Sequence, residues 1–137
     1  GLAWLAGLAG ATSAIVTNAE TTTSTSYTDL PTVGPGATVT IGTSGRALVI
    51  FGADVYSTTG GNYVQMDVAI FGATTRAAGT DNLDIDPYGE TSAHVMTAER
   101  SRIFTGLAAG STTFICKYRV NSGTGGFRGR SIIVIPL

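Results

Sequence analysis

The sequence predicts an all-β protein, a jelly-roll-like sandwich of about eight to ten antiparallel strands. Short segments rich in Val, Ile, Thr and aromatic residues alternate apolar with polar side chains. This alternation is typical of strands, because successive side chains of a strand point to opposite faces. Turns that contain Gly or Pro separate these segments at short intervals, and no stretch shows the apolar period of a helix. Two sheets that fold together are therefore expected.

The composition describes one apolar and weakly charged domain. Of its 137 residues, 43% are hydrophobic and only 12% are charged, whereas average domains have about 25% charged residues. A surface so poor in charge favours an oligomer or an extracellular particle as its setting. The net charge of −1 provides no basic field for a phosphate backbone. Nucleic acid is therefore not a predicted partner.

Residues 1–19 are interpreted as an N-terminal strand segment. Apolar side chains alternate there, and three glycines among the first ten residues weaken a helix. The run is too short and too interrupted by Gly to cross a bilayer, so membrane insertion is not predicted. It lacks a Met and a basic flank, so Gly1 is interpreted as a boundary within a longer chain rather than the start of a signal peptide. We expect its leftover apolar residues to form an oligomer contact: Leu2, Trp4, Leu5 and Leu8.

Residues 20–137 are predicted to form the sandwich. The Thr/Ser tract at 20–28 is interpreted as an exposed edge strand. In the strand at 63–71, Gln65 and Asp67 are predicted to face outward. The last strand, 130–135, has a continuous apolar run, which predicts a central place in a sheet with both faces covered. Further strands are predicted at 12–17, 38–41, 46–56, 93–97, 102–105 and 111–120, and the predicted core contains Phe51, Met66, Val68, Phe114 and Ile133.

An acidic segment, 79–91, is the longest stretch without periodicity, and it predicts an exposed loop at one end of the sandwich. Carboxylate oxygens are ligands for Ca²⁺, so Asp81, Asp84, Asp86 and Glu90 are a weak calcium candidate. Their spacing does not complete an EF-hand, and a solvated loop is the favoured interpretation. A glycosidase pair is a remote alternative, because acids on one short segment rarely flank a scissile bond.

Aromatic residues provide the other candidate site. Rings can stack on a sugar, although most pack in cores or at subunit contacts; the rings considered are Trp4, Tyr56, Tyr63 and Tyr88. Tyr88 stands out because its loop is polar, so Tyr88, Asp84 and Asp86 form the candidate ligand-binding set.

No catalytic or cofactor motif accompanies these residues. His94 is expected on a strand, and without a second His or Cys there is no zinc set. Cys116 is the single cysteine and is expected to be a small buried hydrophobe. No cofactor and no enzymatic activity are predicted.

The chain resembles the C-terminal ends of minor tail or tail-fibre proteins of phages and prophages of actinobacteria. The resemblance covers most of the chain from Glu20 onward and rests mainly on structural motifs. They include Tyr27-Thr28-Asp29-Leu30-Pro31, Gly45-Arg46-Ala47-Leu48-Val49, Gly72-Ala73-Thr74-Thr75-Arg76, Lys117-Tyr118-Arg119-Val120 and Val134-Ile135-Pro136-Leu137.

The resemblance implies a β-sandwich head at the end of a longer virion protein, usually a homotrimer, with no catalytic residues. The first functional hypothesis is a tail-fibre or receptor-binding head that contacts other virion proteins and a glycan or protein of the host surface. A capsid-decoration or head-fibre protein is the alternative. A glycan-processing enzyme is the least favoured interpretation.

Overall fold

The computed structural model describes residues 10–80, 84–89 and 94–137, which form a sandwich of two antiparallel sheets. These ranges contain nine strands and no helix, and therefore no helix that could span a membrane. The prediction of an all-β, jelly-roll-like sandwich is confirmed. The five-stranded sheet contains β1 (Thr12–Val16), β2 (Glu20–Thr22), β4 (Ala47–Ser57), β7 (Met96–Phe104) and β9 (Gly125–Pro136). The four-stranded sheet contains β3 (Gly36–Ile41), β5 (Asn62–Gly72), β6 (Tyr88–Gly89) and β8 (Gly110–Val120).

Strand β9 lies in the middle of the five-stranded sheet, as its apolar run predicts. It pairs with β4 on one side and with β1 and β2, one after the other, on the second side. Strand β1 is thus an edge strand of this sheet. The prediction that both faces of β9 are covered is wrong at Ile133, which is 40% exposed. Its neighbours Ile132 and Val134 point into the core, and strand alternation turns Ile133 to the outer face.

The core fills the space between the two sheets. Phe51 from one sheet and Met66 and Val68 from the other are buried, which confirms these core predictions, whereas the prediction for Ile133 is wrong and its neighbour Ile132 is buried instead. Phe114 is also fully buried and meets the ring of Phe104 edge to face, with 5.7 Å between the ring centroids. Aromatic pairs in this geometry add about 0.5–1.5 kcal/mol to the stabilisation from burial alone.

Two side chains of β5 were expected to face solvent and are buried instead. Asp67 is only 2% exposed and Gln65 is 8% exposed. The strand alternates as predicted, but its outer face lies beneath other parts of the chain. Gly79 N–H donates to Asp67 at 2.5 Å, and Arg102 lies 3.5 Å from the same carboxylate. The alternation in β5 therefore assigns Gln65 and Asp67 to the correct face of the strand. The sequence of the strand does not indicate that other segments of the chain cover this face.

The Thr/Ser tract forms an edge strand only in its first three residues, as β2. The chain then crosses to the four-stranded sheet, where Val120 N–H donates to the Ser24 carbonyl and Thr28 pairs with Tyr118. The tract is therefore a connection between the sheets rather than one exposed strand.

Strand β7 is continuous from Met96 to Phe104, whereas two short strands were predicted. The middle of β7 lacks a visible alternation of apolar and polar residues. Its inward-facing positions hold the half-buried arginines Arg100 and Arg102 instead of apolar residues, and its outward-facing positions hold Glu99 and Ser101. His94 lies just before this strand rather than on a strand. The predictions for Leu2, Trp4, Leu5, Leu8, Asp81 and Glu90 lie outside the described residues.

Candidate binding site at the open edge of the sandwich

Residues 76–80 and 84–88 lie beside β5 and cover the edge of the four-stranded sheet. Isolated bridges join Ile70 to Arg76 and Met66 to Ile85, and each of these contacts involves backbone hydrogen bonds. Strand β6 then pairs with the first residues of β5. Together with β6, this segment forms an irregular edge strand beside β5, the fourth of the sheet.

Asp84 fastens this covering segment to the outer face of the four-stranded sheet. Its Oδ2 accepts hydrogen bonds from the Tyr27 hydroxyl and, at 3.2 Å, from Gln65 Nε2, and it lies 4.0 Å from Arg119 Nη2. Burial, the hydrogen bond to Asp84 and the charges of nearby carboxylates raise the pKa of Tyr27. The hydroxyl therefore stays protonated and keeps donating. Asp84 acts as an anchor, whereas the sequence suggested a solvated loop acid.

Asp86 faces the solvent, unlike Asp84. Partial desolvation and the charge of Asp84 raise the pKa of Asp86. In the part of the chain that the structure describes, no three His, Cys, Asp or Glu side chains come together as metal ligands. The calcium hypothesis also needs Asp81 and Glu90, and it stays a prediction.

A groove of about 450 Å³ opens between the two sheets where β6 and β7 face each other. Tyr88 forms one wall and is 51% exposed, and its ring meets that of Tyr63 edge to face at 5.2 Å between centroids. A concave, largely apolar surface with a few polar groups is the usual form of a ligand site. The described residues that line the groove include Val55, Tyr56, Pro87, Tyr88, His94 and Met96.

The structure separates the predicted ligand-binding set. Tyr88 lines the groove, while Asp84 and Asp86 are not among its described lining residues. Tyr56 and His94 join Tyr88 instead, because β4 ends and β7 begins at this edge. Cys116 is fully buried in the core, as expected, and burial raises the pKa of its thiol.

No protein-family model and no curated protein matches the chain. Several solved structures share its fold. The VP2 subviral particle of infectious bursal disease virus matches with a TM-score of 0.64 and 9% identity over 92% of this chain and 32% of that chain. Eiger TNF from S. frugiperda matches with a TM-score of 0.58 and 12% identity over 93% of this chain and 91% of that chain.

The globular domain of zebrafish complement 1qA protein matches with a TM-score of 0.50 and 12% identity over 93% of this chain and 97% of that chain. The chain therefore spans about a third of the VP2 chain, since 32% of VP2 is covered. At these identities the likenesses concern the fold, and they define the chain as a jelly-roll sandwich.

Proposed function

We propose that this domain is a virion module that acts by binding, as the head of a phage tail-fibre or minor tail protein. The observation that carries the proposal is the aromatic groove, in which Tyr88 presents a half-exposed ring at the edge of a sandwich with a filled core. A tyrosine ring offers an apolar face and a polar tip, which suits the alternating apolar and hydroxyl surfaces of a sugar. The ligand we propose is a glycan of the host surface, with a surface protein as the alternative.

The resemblance to phage tail proteins supports a place on the virion. The fold likeness to VP2, named as a subviral particle protein, is compatible with that setting. The same likeness is compatible with a capsid-decoration or head-fibre protein, which is the second candidate function. Binding to intact host cells distinguishes a receptor-binding head from a decoration protein.

Binding is favoured over catalysis because two of the described carboxylates, Asp84 and Asp67, have structural partners. Asp84 is held by Tyr27 and Gln65, and Asp67 is buried beside Arg102. A glycosidase needs two carboxyl groups that flank the scissile bond. Release of reducing sugar from a host polysaccharide by the purified protein would contradict this proposal.

The test is binding of labelled protein to a panel of actinobacterial cells and to the polysaccharides isolated from them. We expect Tyr88→Ala to lower the affinity about tenfold or more, taking for a sugar on Tyr88 the roughly 1–3 kcal/mol that stacking of a nucleic-acid base on an aromatic side chain contributes. Tyr88→Phe keeps the ring and should retain most of the affinity. Val33→Ala, at an exposed apolar residue that does not line the groove, is the control. Equal binding by Tyr88→Ala and wild type would move the site elsewhere.

We also propose a homotrimer whose contact includes an apolar patch on the five-stranded sheet. Strand register places Leu48 between Ile103 and Ile135, and Ile50 beside Ile133. Exposed apolar patches that extend over several strands usually mark an interface, and cyclic symmetry covers the same patch on identical chains. We define this surface as the apolar face: Ile15, Leu48, Ile50, Ile103, Ile133 and Ile135.

The first described residue, Gly10, lies at the border of the apolar face. Gly10 lies against Pro136, where an added Cβ would be 3.0 Å from the proline Cγ, and Pro136 follows Ile135. The predicted contact through Leu2, Trp4, Leu5 and Leu8 stays part of the proposed interface. The resemblance to tail proteins favours three copies over two.

Light scattering coupled to gel filtration tests this assembly. We expect three times the chain mass of 13.9 kDa for the wild type, and a monomer for the double variant Ile103→Asp with Ile133→Asp. Ser122→Asp, in an exposed turn, is the control for a negative charge added elsewhere on the surface. A wild-type monomer at micromolar concentration would overturn the proposal, and a trimer that survives deletion of residues 1–9 would restrict the contact to the apolar face.

A further inference from the structure

A second groove, of about 490 Å³, lies on the outer face of the four-stranded sheet, away from the aromatic groove. Its floor is formed by Ala69 and Phe71 of β5. Phe71 is 46% exposed, so its ring is open to a ligand. One wall comes from residues 25–27 and the opposite wall from residues 75–78.

The described residues that line this groove include no acidic residue. They include three cationic ones: Arg76, Lys117 and Arg119. The charge of Lys117 has only partial compensation. Lys117 Nζ pairs with Asp29 at 2.5 Å, but the Asp29 side chain is 40% exposed. Exposed pairs of this kind contribute about 0–1 kcal/mol, so a ligand anion can compete for the ammonium group.

The guanidinium of Arg119 is held in place by stacking rather than by hydrogen bonds. It lies over the Tyr27 ring, 4.7 Å from the centroid, and its Nη2 is 4.0 Å from Asp84 Oδ2, beyond hydrogen-bonding distance. Its Nε is buried and has no hydrogen-bond partner among the described residues, and the side chain as a whole is 34% exposed, so contact with a ligand falls to the terminal nitrogens. The Asp84 oxygen already accepts from Tyr27 and Gln65. A stacked guanidinium with unused donors is preorganised for a carboxylate or a phosphate.

Phe71 indicates that the anion belongs to a larger ligand. Lys117 Nζ lies 5.9 Å from the centroid of the Phe71 ring, so a cation and an open aromatic face are adjacent. A ligand that combines an anionic group with an apolar ring face would contact both at once. A sugar that carries a carboxylate or a phosphate has this combination.

We propose that this groove binds an anionic sugar, a uronate or a sugar phosphate, with Arg119 and Lys117 contacting the anion and Phe71 contacting the sugar ring. The site is separate from the aromatic groove and goes beyond the proposed function. Its charge would make binding selective for acidic glycans and weaker at high salt, since partly exposed charges are screened.

Titration calorimetry on the full chain tests the proposal with four probes. They are an oligosaccharide that contains glucuronate, the same oligosaccharide with its carboxylates reduced to alcohols, a sugar phosphate, and inorganic phosphate. We expect binding of the glucuronate form or the sugar phosphate, whichever is the natural source of the anion, at least tenfold tighter than of the reduced oligosaccharide. Equal affinity for the reduced form, equal affinity for inorganic phosphate, or no binding at millimolar concentration would overturn the proposal.

Substitutions locate the site. Arg119→Gln should lower the affinity at least tenfold, and Lys117→Gln, which leaves the Tyr27 stack intact, should lower it severalfold. Arg128→Gln is the matched control, because Arg128 is paired with Asp54 on the other sheet. Circular dichroism shows whether each variant is folded. If Arg119→Gln does not fold, Lys117→Gln still tests the proposal. Unchanged affinity in a folded Lys117→Gln or Arg119→Gln variant, or an equal loss in Arg128→Gln, would contradict the assignment.

Discussion

The guanidinium of Arg130 and the carboxylate of Glu20 lie 2.7 Å apart in the interior, although 110 positions separate them in the sequence. Arg130 is fully buried, and its Nη1 also donates to the carbonyls of Thr32 and Gly34, both at 3.2 Å. Thr32 in turn donates its N–H and its hydroxyl to Glu20. This network ties β2, β9 and the loop before β3 into one unit.

Removal of the Glu20 carboxylate should be strongly destabilising, because it leaves the buried charge of Arg130 without its counter-ion. We expect Glu20→Ala to lower the free energy of unfolding by about 3–5 kcal/mol. Asp29→Ala removes one partner of the more exposed pair with Lys117 and should cost less than about 1 kcal/mol. Urea denaturation measures both, and equal effects of the two variants would contradict the buried network.

The same pair predicts how stability depends on pH. Desolvation opposes ionisation of Glu20, but hydrogen bonds from Thr32 and the charge of Arg130 outweigh it and lower the pKa of Glu20. A lowered folded-state pKa contributes stability that is complete above the unfolded pKa, about 4.3 for Glu. This stability is lost as the pH falls through the folded pKa. Denaturation between pH 7 and pH 2 should show a steeper acid loss in wild type than in Glu20→Gln, and parallel curves would contradict it.

Neighbouring acids of the covering segment should respond differently to neutralisation. Asp84→Asn weakens the hydrogen bonds from Tyr27 and Gln65, so we expect a loss of about 1–3 kcal/mol. Asp86→Asn changes an exposed side chain and should stay within about 0.5 kcal/mol. Thermal or urea denaturation compares the two variants, and similar melting of both would show that Asp84 is not an anchor.

Core packing gives a second matched comparison. Phe114→Ala should lower the free energy of unfolding by about 3–5 kcal/mol through lost transfer energy and the cavity that remains. Ile133→Ala, on the same sandwich but facing outward, should cost less than about 1 kcal/mol in the monomer. The denaturation midpoints, measured where the oligomeric state is known, test this difference. A Phe114→Ala midpoint equal to that of the wild type would contradict the burial of this side chain.

Cys116 should not react with thiol reagents while the protein is folded. Burial raises the pKa of its thiol, and the thiolate is the reactive form. Iodoacetamide labelling followed by mass spectrometry should show modification in urea and none in buffer within the same time. Rapid labelling of the folded protein would show that β8 opens locally.

Strand positions could be predicted from the sequence because alternation is a local pattern. Phe114, Cys116, Tyr118 and Val120 fall on one face of β8 and are all buried, as their spacing predicts. The same pattern could not show that Gln65 is covered, because the covering segment has no period of its own. Apolar alternation gives the face of a strand, and it is silent on what lies over that face.

The candidate sites were predictable only in part, for a related reason. Tyr88 could be singled out as an aromatic residue in a polar loop, and it lines a groove. Arg119 and Tyr27 could not be paired, because 92 positions of chain, from 27 to 119, carry no signal that joins them. Contacts between side chains on different segments depend on how the strands pair and in which register, and a single sequence does not show this.

The central place of β9 has a consequence for biosynthesis. Three earlier strands, β1, β2 and β4, use β9 as their partner, so the five-stranded sheet cannot close before the ribosome has released the end of this domain. Until then β1 and β2 have no partner in their sheet, and the nascent chain exposes unpaired edges. Sandwiches dominated by such distant pairings fold in milliseconds to seconds. A chain terminated even a few codons before residue 125 would lose the strand with which β1, β2 and β4 all pair, and would be left for chaperones and proteases to clear.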